Sequence, residues 1–151
     1  MKAFVAGATG YVGKALVRLL VEQGVETVAH VRPDSSRLEE HRAAFESVGA
    51  SISQAAWSDD AMAAELHALA PTVVFCCIGT TRARKSTSND PANETYEAID
   101  YGLTALLVRA STASGTNPRF VYLSSTGTTE NAVGAYLKAR WKAETAVRES
   151  G

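Results

Sequence analysis

Cysteine is nearly missing from this chain, and the two that are present, Cys76 and Cys77, are neighbours. Adjacent residues on a strand point to opposite faces, so a disulfide between them would strain the backbone. That excludes a disulfide scaffold. It leaves two small buried hydrophobes in a reducing compartment, hence an expected cytoplasmic location. A surplus of charge is missing too: 15 basic residues against 16 acidic ones give a net charge of −1. A nucleic-acid or anionic-membrane binder would need a basic excess, so neither partner is expected. No apolar run approaches the roughly 20 residues that span a bilayer. The N-terminal MKAFVAGATG meets glycines where a signal peptide would carry its apolar core. Internal repeats and low-complexity tracts are absent, and no metal site is expected.

What the chain does have is length for one domain with a substantial core, 151 residues of which 46% are hydrophobic. Short apolar runs alternate with amphipathic segments. Strands are expected at 2–7, 26–32, 50–57, 71–79 and 119–125. The run PTVVFCCIG (71–79) is the most apolar and reads as a central strand buried on both faces. Helical spacing of Val12, Leu16, Val17, Leu19 and Leu20 marks a first helix that Gly24 stops. A charged helix follows at 35–49 with a serine cap. A third begins at Asp59 or Asp60 as its cap and carries Met62, Leu66 and Leu69 on one stripe. A long helix at 95–114 and a last one at 133–149 complete five, and a polar loop is expected at 80–94.

Five strands and five helices in strict alternation imply an α/β fold, a doubly wound parallel sheet in order 3-2-1-4-5 with helices on both faces. A ligand crevice should then lie at the carboxyl ends of strands one and four. The loops GATG, CIGTT and LSSTG converge there.

Gly7, Gly10 and Gly13 form G-x-x-G-x-x-G directly between a strand and a helix. Gly7 allows the tight turn, Gly10 lets the backbone approach a pyrophosphate, and Gly13 lets the helix pack against the strand. The helix N-terminus offers unpaired N–H donors to phosphates. This context points to dinucleotide binding and a Rossmann fold. Strand two ends in Arg32, with Arg37 five residues on, where binders of NAD usually carry an acid. A guanidinium suits a 2′-phosphate, so NADP(H) is preferred over NAD(H).

The pieces GATGYVG, VVFCCIGTTR, AIDYGLTALLVRAS, FVYLSSTG and YLKARWKAE occur in this order. With them the chain resembles the atypical short-chain dehydrogenase/reductases. Within these it is most similar to the Tat-interacting-protein-like oxidoreductases, through CCIGTTR. The resemblance implies that Gly7, Thr9, Gly10, Tyr11 and Val12 line the pyrophosphate, and Arg32 the 2′-phosphate. Cys77, Ile78 and Gly79 would pass beneath the nicotinamide-side ribose. The family's catalytic serine falls on Ser125, its tyrosine on Tyr136, its lysine on Arg140, and the asparagine of its tetrad near Asp100. Where many relatives hold the adenine with an acid, this chain has Ala56 and Trp57.

In that family the tyrosine protonates a carbonyl oxygen while the cofactor delivers hydride to the carbon, and the serine orients the carbonyl. Arg140 lies about 40° from Tyr136 on the helix, whereas Lys138 and Lys142 are about 200° and 240° away. Arg140 keeps a positive charge beside Tyr136 but stays protonated, so it cannot relay a proton. Two functions therefore follow from the resemblance: an NADP(H)-dependent oxidoreductase on a small carbonyl or alcohol, and an NADP(H)-sensing protein that regulates a partner. The family also leads one to expect a C-terminal substrate-binding segment beyond this single domain of residues 1–151. By analogy, a homodimer would form through the helices at 95–114 and 133–149.

Overall fold

A computed structural model describes residues 1–87 and 90–151. Of the loop expected over 80–94, residues 88 and 89 lie outside the described residues. Five parallel strands, β1 (Lys2–Ala6), β2 (Glu26–His30), β3 (Ser51–Ser53), β4 (Val73–Cys76) and β5 (Arg119–Tyr122), form one sheet in the order β3-β2-β1-β4-β5. The expected topology is the observed one. Each strand is shorter than its apolar run, because pairing stops where the chain turns into the crevice loops.

Period-two alternation in β1 explains the layers. Ala3 and Val5 face one side, with Val17 and Leu20 of α1 (Tyr11–Glu22) and Phe45 of α2 (Leu38–Glu46). Phe4 and Ala6 face the other, with Met62 and Leu66 of α3 (Asp59–Leu69) and Leu107 and Ala110 of α5 (Thr104–Ala113). Both faces of the strand are buried, as a parallel sheet between two helix layers requires. Full burial of Phe4 alone stabilises the fold by about 1.5–3 kcal/mol.

Three details differ from expectation. Ser58, not Asp59 or Asp60, caps α3: its side chain accepts from the Ala61 N–H, and the two acids fill the first turn, where they favour the helix dipole. The second helix has no serine cap. It begins after Arg37, which makes no capping bond, because Ser35 and Ser36 are taken up in the preceding turn. The third difference lies in the segment expected as loop and long helix. A short helix α4 (Arg82–Thr87) occupies part of the loop, and the first eight residues of the long helix, Tyr96–Leu103, are π-helical. Thr95 caps this stretch by accepting from the Ala98 N–H. With the last helix, α6 (Ala135–Glu149), that makes six α-helices and one π-helical stretch among the described residues, in place of five helices.

Candidate cofactor cleft and active site

β1 runs into the glycine loop at Ala6. Gly7 adopts φ +78°, and a Cβ there would sit 2.6 Å from the Cys77 carbonyl carbon and oxygen. The turn and the close approach to the end of β4 thus both require glycine at this position. At Gly13 the constraint is backbone on backbone: an added Cβ would lie 2.2 Å from the Gly7 carbonyl oxygen. Gly10 is the N-cap of α1 and donates its N–H to the Gly7 carbonyl at 3.1 Å. The first N–H groups of α1 therefore point out of the loop without helical partners. Tyr11 and Val12, which follow, have exposed side chains. This cradle fits a pyrophosphate.

Two cavities flank it. One of about 80 Å³ is lined by Gly7, Thr9, Gly10, His30, Arg32, Trp57, Cys77, Ile78 and Gly79, with Arg84, Ile99 and Leu103. The second, about 480 Å³, shares Thr9, Arg32 and Arg84 and adds Arg37, Ser35 and Ser36. The structure thus gathers the glycine loop, the end of β2 and Cys77–Gly79 around one cleft. Arg32 is exposed there, 3.7 Å from Asp34, while Arg37 is held by Glu40. Arg84 reaches both cavities from α4 and pairs at 2.8 Å with Glu94, a buried carboxylate that also accepts from Thr80 Oγ1 at 2.5 Å.

His30 and Trp57 form a wall that sequence reasoning did not foresee. Their rings meet edge to face at 4.8 Å, and His30 Nε2 lies 2.8 Å from the Ala55 carbonyl. A carbonyl only accepts, so Nε2 carries the proton. Burial lowers the His30 pKa below its usual value and keeps the ring neutral.

At the far end of the cleft, beyond Gly79, Asp100 and Arg140 meet each other. Arg140 Nη2 lies 3.0 Å from Asp100 Oδ1, and both side chains are buried. Asp100 Oδ2 accepts the Thr80 backbone N–H at 3.0 Å. Arg140 Nη1 donates to the Tyr122 hydroxyl at 2.9 Å and to the Leu123 carbonyl at 2.8 Å. The guanidinium is therefore anchored to the π-helical stretch and to the end of β5 at once. Arg140 Nε has no hydrogen-bond partner among the described residues. Burial raises the Asp100 carboxyl above the usual carboxylate range, against the Thr80 N–H and the Arg140 charge. Burial also pushes the Tyr122 phenol up to about 12, so it stays protonated.

The π-helical geometry helps place Asp100. Thr104 donates to the Asp100 carbonyl at 2.8 Å, and Asp100 itself is fully buried next to Gly79. A Cβ on Gly79 would stand 2.6 Å from Arg140 Nη2 and 3.3 Å from Asp100 Oδ1. Gly79 lines the cofactor cleft on one side and the ion pair on the other.

Tyr136 sits in the first turn of α6, half-buried. The Arg140 guanidinium carbon lies 5.3 Å from its ring centre, a cation–π distance. Its ring meets Tyr96 edge to face at 5.2 Å. Ser125 follows β5 in the LSSTG loop and is half-buried; its carbonyl accepts from Thr128. Its neighbour Ser124 is committed elsewhere, donating to Glu144.

Parallel strands in this order, a glycine loop opening α1 and a tyrosine on the helix after β5 narrow the families to consider, and the sequence match decides among them. The chain belongs to the NAD dependent epimerase/dehydratase family, whose pattern matches residues 3–137. No curated protein matches it significantly in sequence. Several solved structures share the fold. AtPrR2, solved with NADP⁺ and (+)-pinoresinol, matches with TM-score 0.74 and 18% identity over 99% of this chain and 46% of its own. The UDP-glucose 4-epimerase of Thermotoga maritima, solved with UDP-glucose, gives 0.72 and 17% over 99% and 51%. WbmH of Bordetella bronchiseptica, in complex with NAD⁺, gives 0.69 and 18% over 99% and 52%. The chain thus spans about half the length of these relatives. Among its described residues, no helix of this family member is long and apolar enough to cross a membrane.

Proposed function

We propose that this protein is an NADP(H)-dependent oxidoreductase of the atypical short-chain type, near the Tat-interacting-protein-like group, acting on a small carbonyl or alcohol. One observation carries the reading: Gly79 joins the cofactor cleft to the Asp100–Arg140 pair, and Tyr136 lies over that same guanidinium. The nicotinamide group, when bound, supplies or takes up a hydride. The chain does the rest. The glycine cradle and the start of α1 hold the pyrophosphate. Arg32 meets the 2′-phosphate, with Arg37 beside it. Tyr136 gives its proton to the carbonyl oxygen in reduction and takes it back in oxidation, and Ser125 orients that oxygen.

Titration with NADPH and NADH, repeated on Arg32→Ala, tests the cofactor half. NADPH should bind more tightly than NADH, and the variant should lose about tenfold to a hundredfold of that preference, the worth of a charge-assisted contact. Equal affinities in the parent protein sink it. Turnover of a carbonyl panel that disappears in Tyr136→Phe tests the chemical half.

A second reading has its own observation. Arg140 spends its donors on Asp100, Tyr122 and Leu123, which leaves less of it for a ribose than the family's lysine offers. That favours a protein that senses NADP(H) and regulates a partner. NADPH binding of full strength, with no turnover that depends on Tyr136, would select it.

A further inference from the structure

A cavity of about 570 Å³ opens between the segment after β4, the start of the π-helical stretch and the first turns of α6. Two of its walls are shared with the Tyr136 site. Thr80 donates its backbone N–H to Asp100, the partner of Arg140. Tyr96 meets the Tyr136 ring at 5.2 Å. Tyr136 itself lies on another face of α6, so the cavity adjoins the proposed proton donor through Tyr96, which lines it.

Its surface is largely apolar, yet Lys85, Lys138 and Lys142 all reach it. Ala135, Lys138 and Lys142 recur at helical spacing, so α6 presents both of its lysines on the stripe that lines the cavity. The carboxylates on the wall are already engaged. Glu97 pairs with Lys142 at 2.6 Å, and Glu94 with Arg84 and Thr80. Among the described residues, no carboxylate lies within ion-pair distance of Lys85 or Lys138. Two ammonium groups without counter-charges, beside an apolar cavity, complement a small molecule with an apolar body and an acidic group.

We infer that this cavity takes the acidic end of the substrate, and that the substrate is a carbonyl compound, or the matching alcohol, whose carboxylate Lys85 and Lys138 hold while its carbonyl reaches Tyr136 past Tyr96. The assignment rests on the oxidoreductase reading above. It goes beyond that reading in naming the charge of the substrate and the two residues that select it.

Two aldehydes of matched shape provide the test: 4-carboxybenzaldehyde and methyl 4-formylbenzoate, each with saturating NADPH. The acid should exceed the ester in kcat/KM by about tenfold at low salt, and the preference should shrink as salt rises. In the Lys85→Met/Lys138→Met variant the ratio should fall toward one, chiefly through KM, with the melting temperature unchanged. Equal use of both aldehydes by the parent protein overturns the pocket assignment and leaves the oxidoreductase reading standing. If neither is reduced, titration of the NADPH complex with 4-carboxybenzaldehyde decides. Binding that the double variant loses keeps the pocket and sinks the reaction; no binding sinks the pocket.

Discussion

Asp100 and Arg140, 40 positions apart in sequence, form one buried ion pair. A buried carboxylate alone, or a buried guanidinium alone, would be costly, whereas together their charges offset each other, although Asp100 Oδ1 and Arg140 Nε make no hydrogen bond among the described residues. Arg140→Met should therefore destabilise the fold by about 3–5 kcal/mol, because it strands the Asp100 carboxylate beneath Gly79. Adding Asp100→Asn to Arg140→Lys should cost less than the two single changes summed. A double-mutant cycle in denaturant measures both, and additivity would show that the pair is not coupled. Gly79→Ala forces a Cβ to within 2.6 Å of a pinned guanidinium, so it should cost about 1–3 kcal/mol and weaken cofactor binding as well. Helical spacing put Arg140 on the Tyr136 face, while Asp100 was marked only through the family resemblance. Their partnership was not legible in the sequence, because no local pattern links a residue in the π-helical stretch to one in α6, 40 positions later.

Elements were legible wherever hydrophobic period and position agreed. β1 and β4 were read from apolar runs, and the sheet order from alternation with helices. Caps were read less well, because a serine or aspartate near a helix start can cap, turn or simply sit in the first turn. The outcome separates two serines that look alike in sequence. Ser58→Ala should cost about 1 kcal/mol, since it removes the acceptor for the Ala61 N–H. Ser36→Ala should change almost nothing, because α2 begins beyond it without a capping bond from a side chain. Thermal melts of the two variants, side by side, check this; equal losses would mean that the α3 cap carries no particular weight. The π-helical stretch had no signature of its own. AIDYGL reads as ordinary helix, and the shift in hydrogen bonding shows only in which residues it turns inward, Asp100 above all.

At the scale of the molecule, the sheet carries the glycine loop and Cys77–Gly79 to one cleft, readable because a doubly wound sheet has one switch point, whereas the LSSTG loop expected with them lines neither cavity. The His30–Trp57 wall was not readable, since it depends on how β2 and the end of β3 lean together across the sheet. It has a consequence for the whole fold. His30 is neutral when folded, held by burial and by the Ala55 carbonyl, and its pKa lies below the unfolded value near 6.5. His41 is shifted the same way, by burial first and then by the nearby Lys14 and Arg37. At these two histidines the unfolded chain binds more protons than the folded one below that unfolded pKa, so their contribution to stability falls as the pH drops from about 7 toward the folded values. Melting temperatures at pH 7.5, 6.5 and 5.5, chosen to bracket that value, should decline in order. His30→Gln keeps an N–H for the Ala55 carbonyl and removes the titration, so its decline should be shallower. A variant that loses stability with acid as steeply as the parent would place the sensitivity elsewhere and leave His30 a purely structural wall of the cleft.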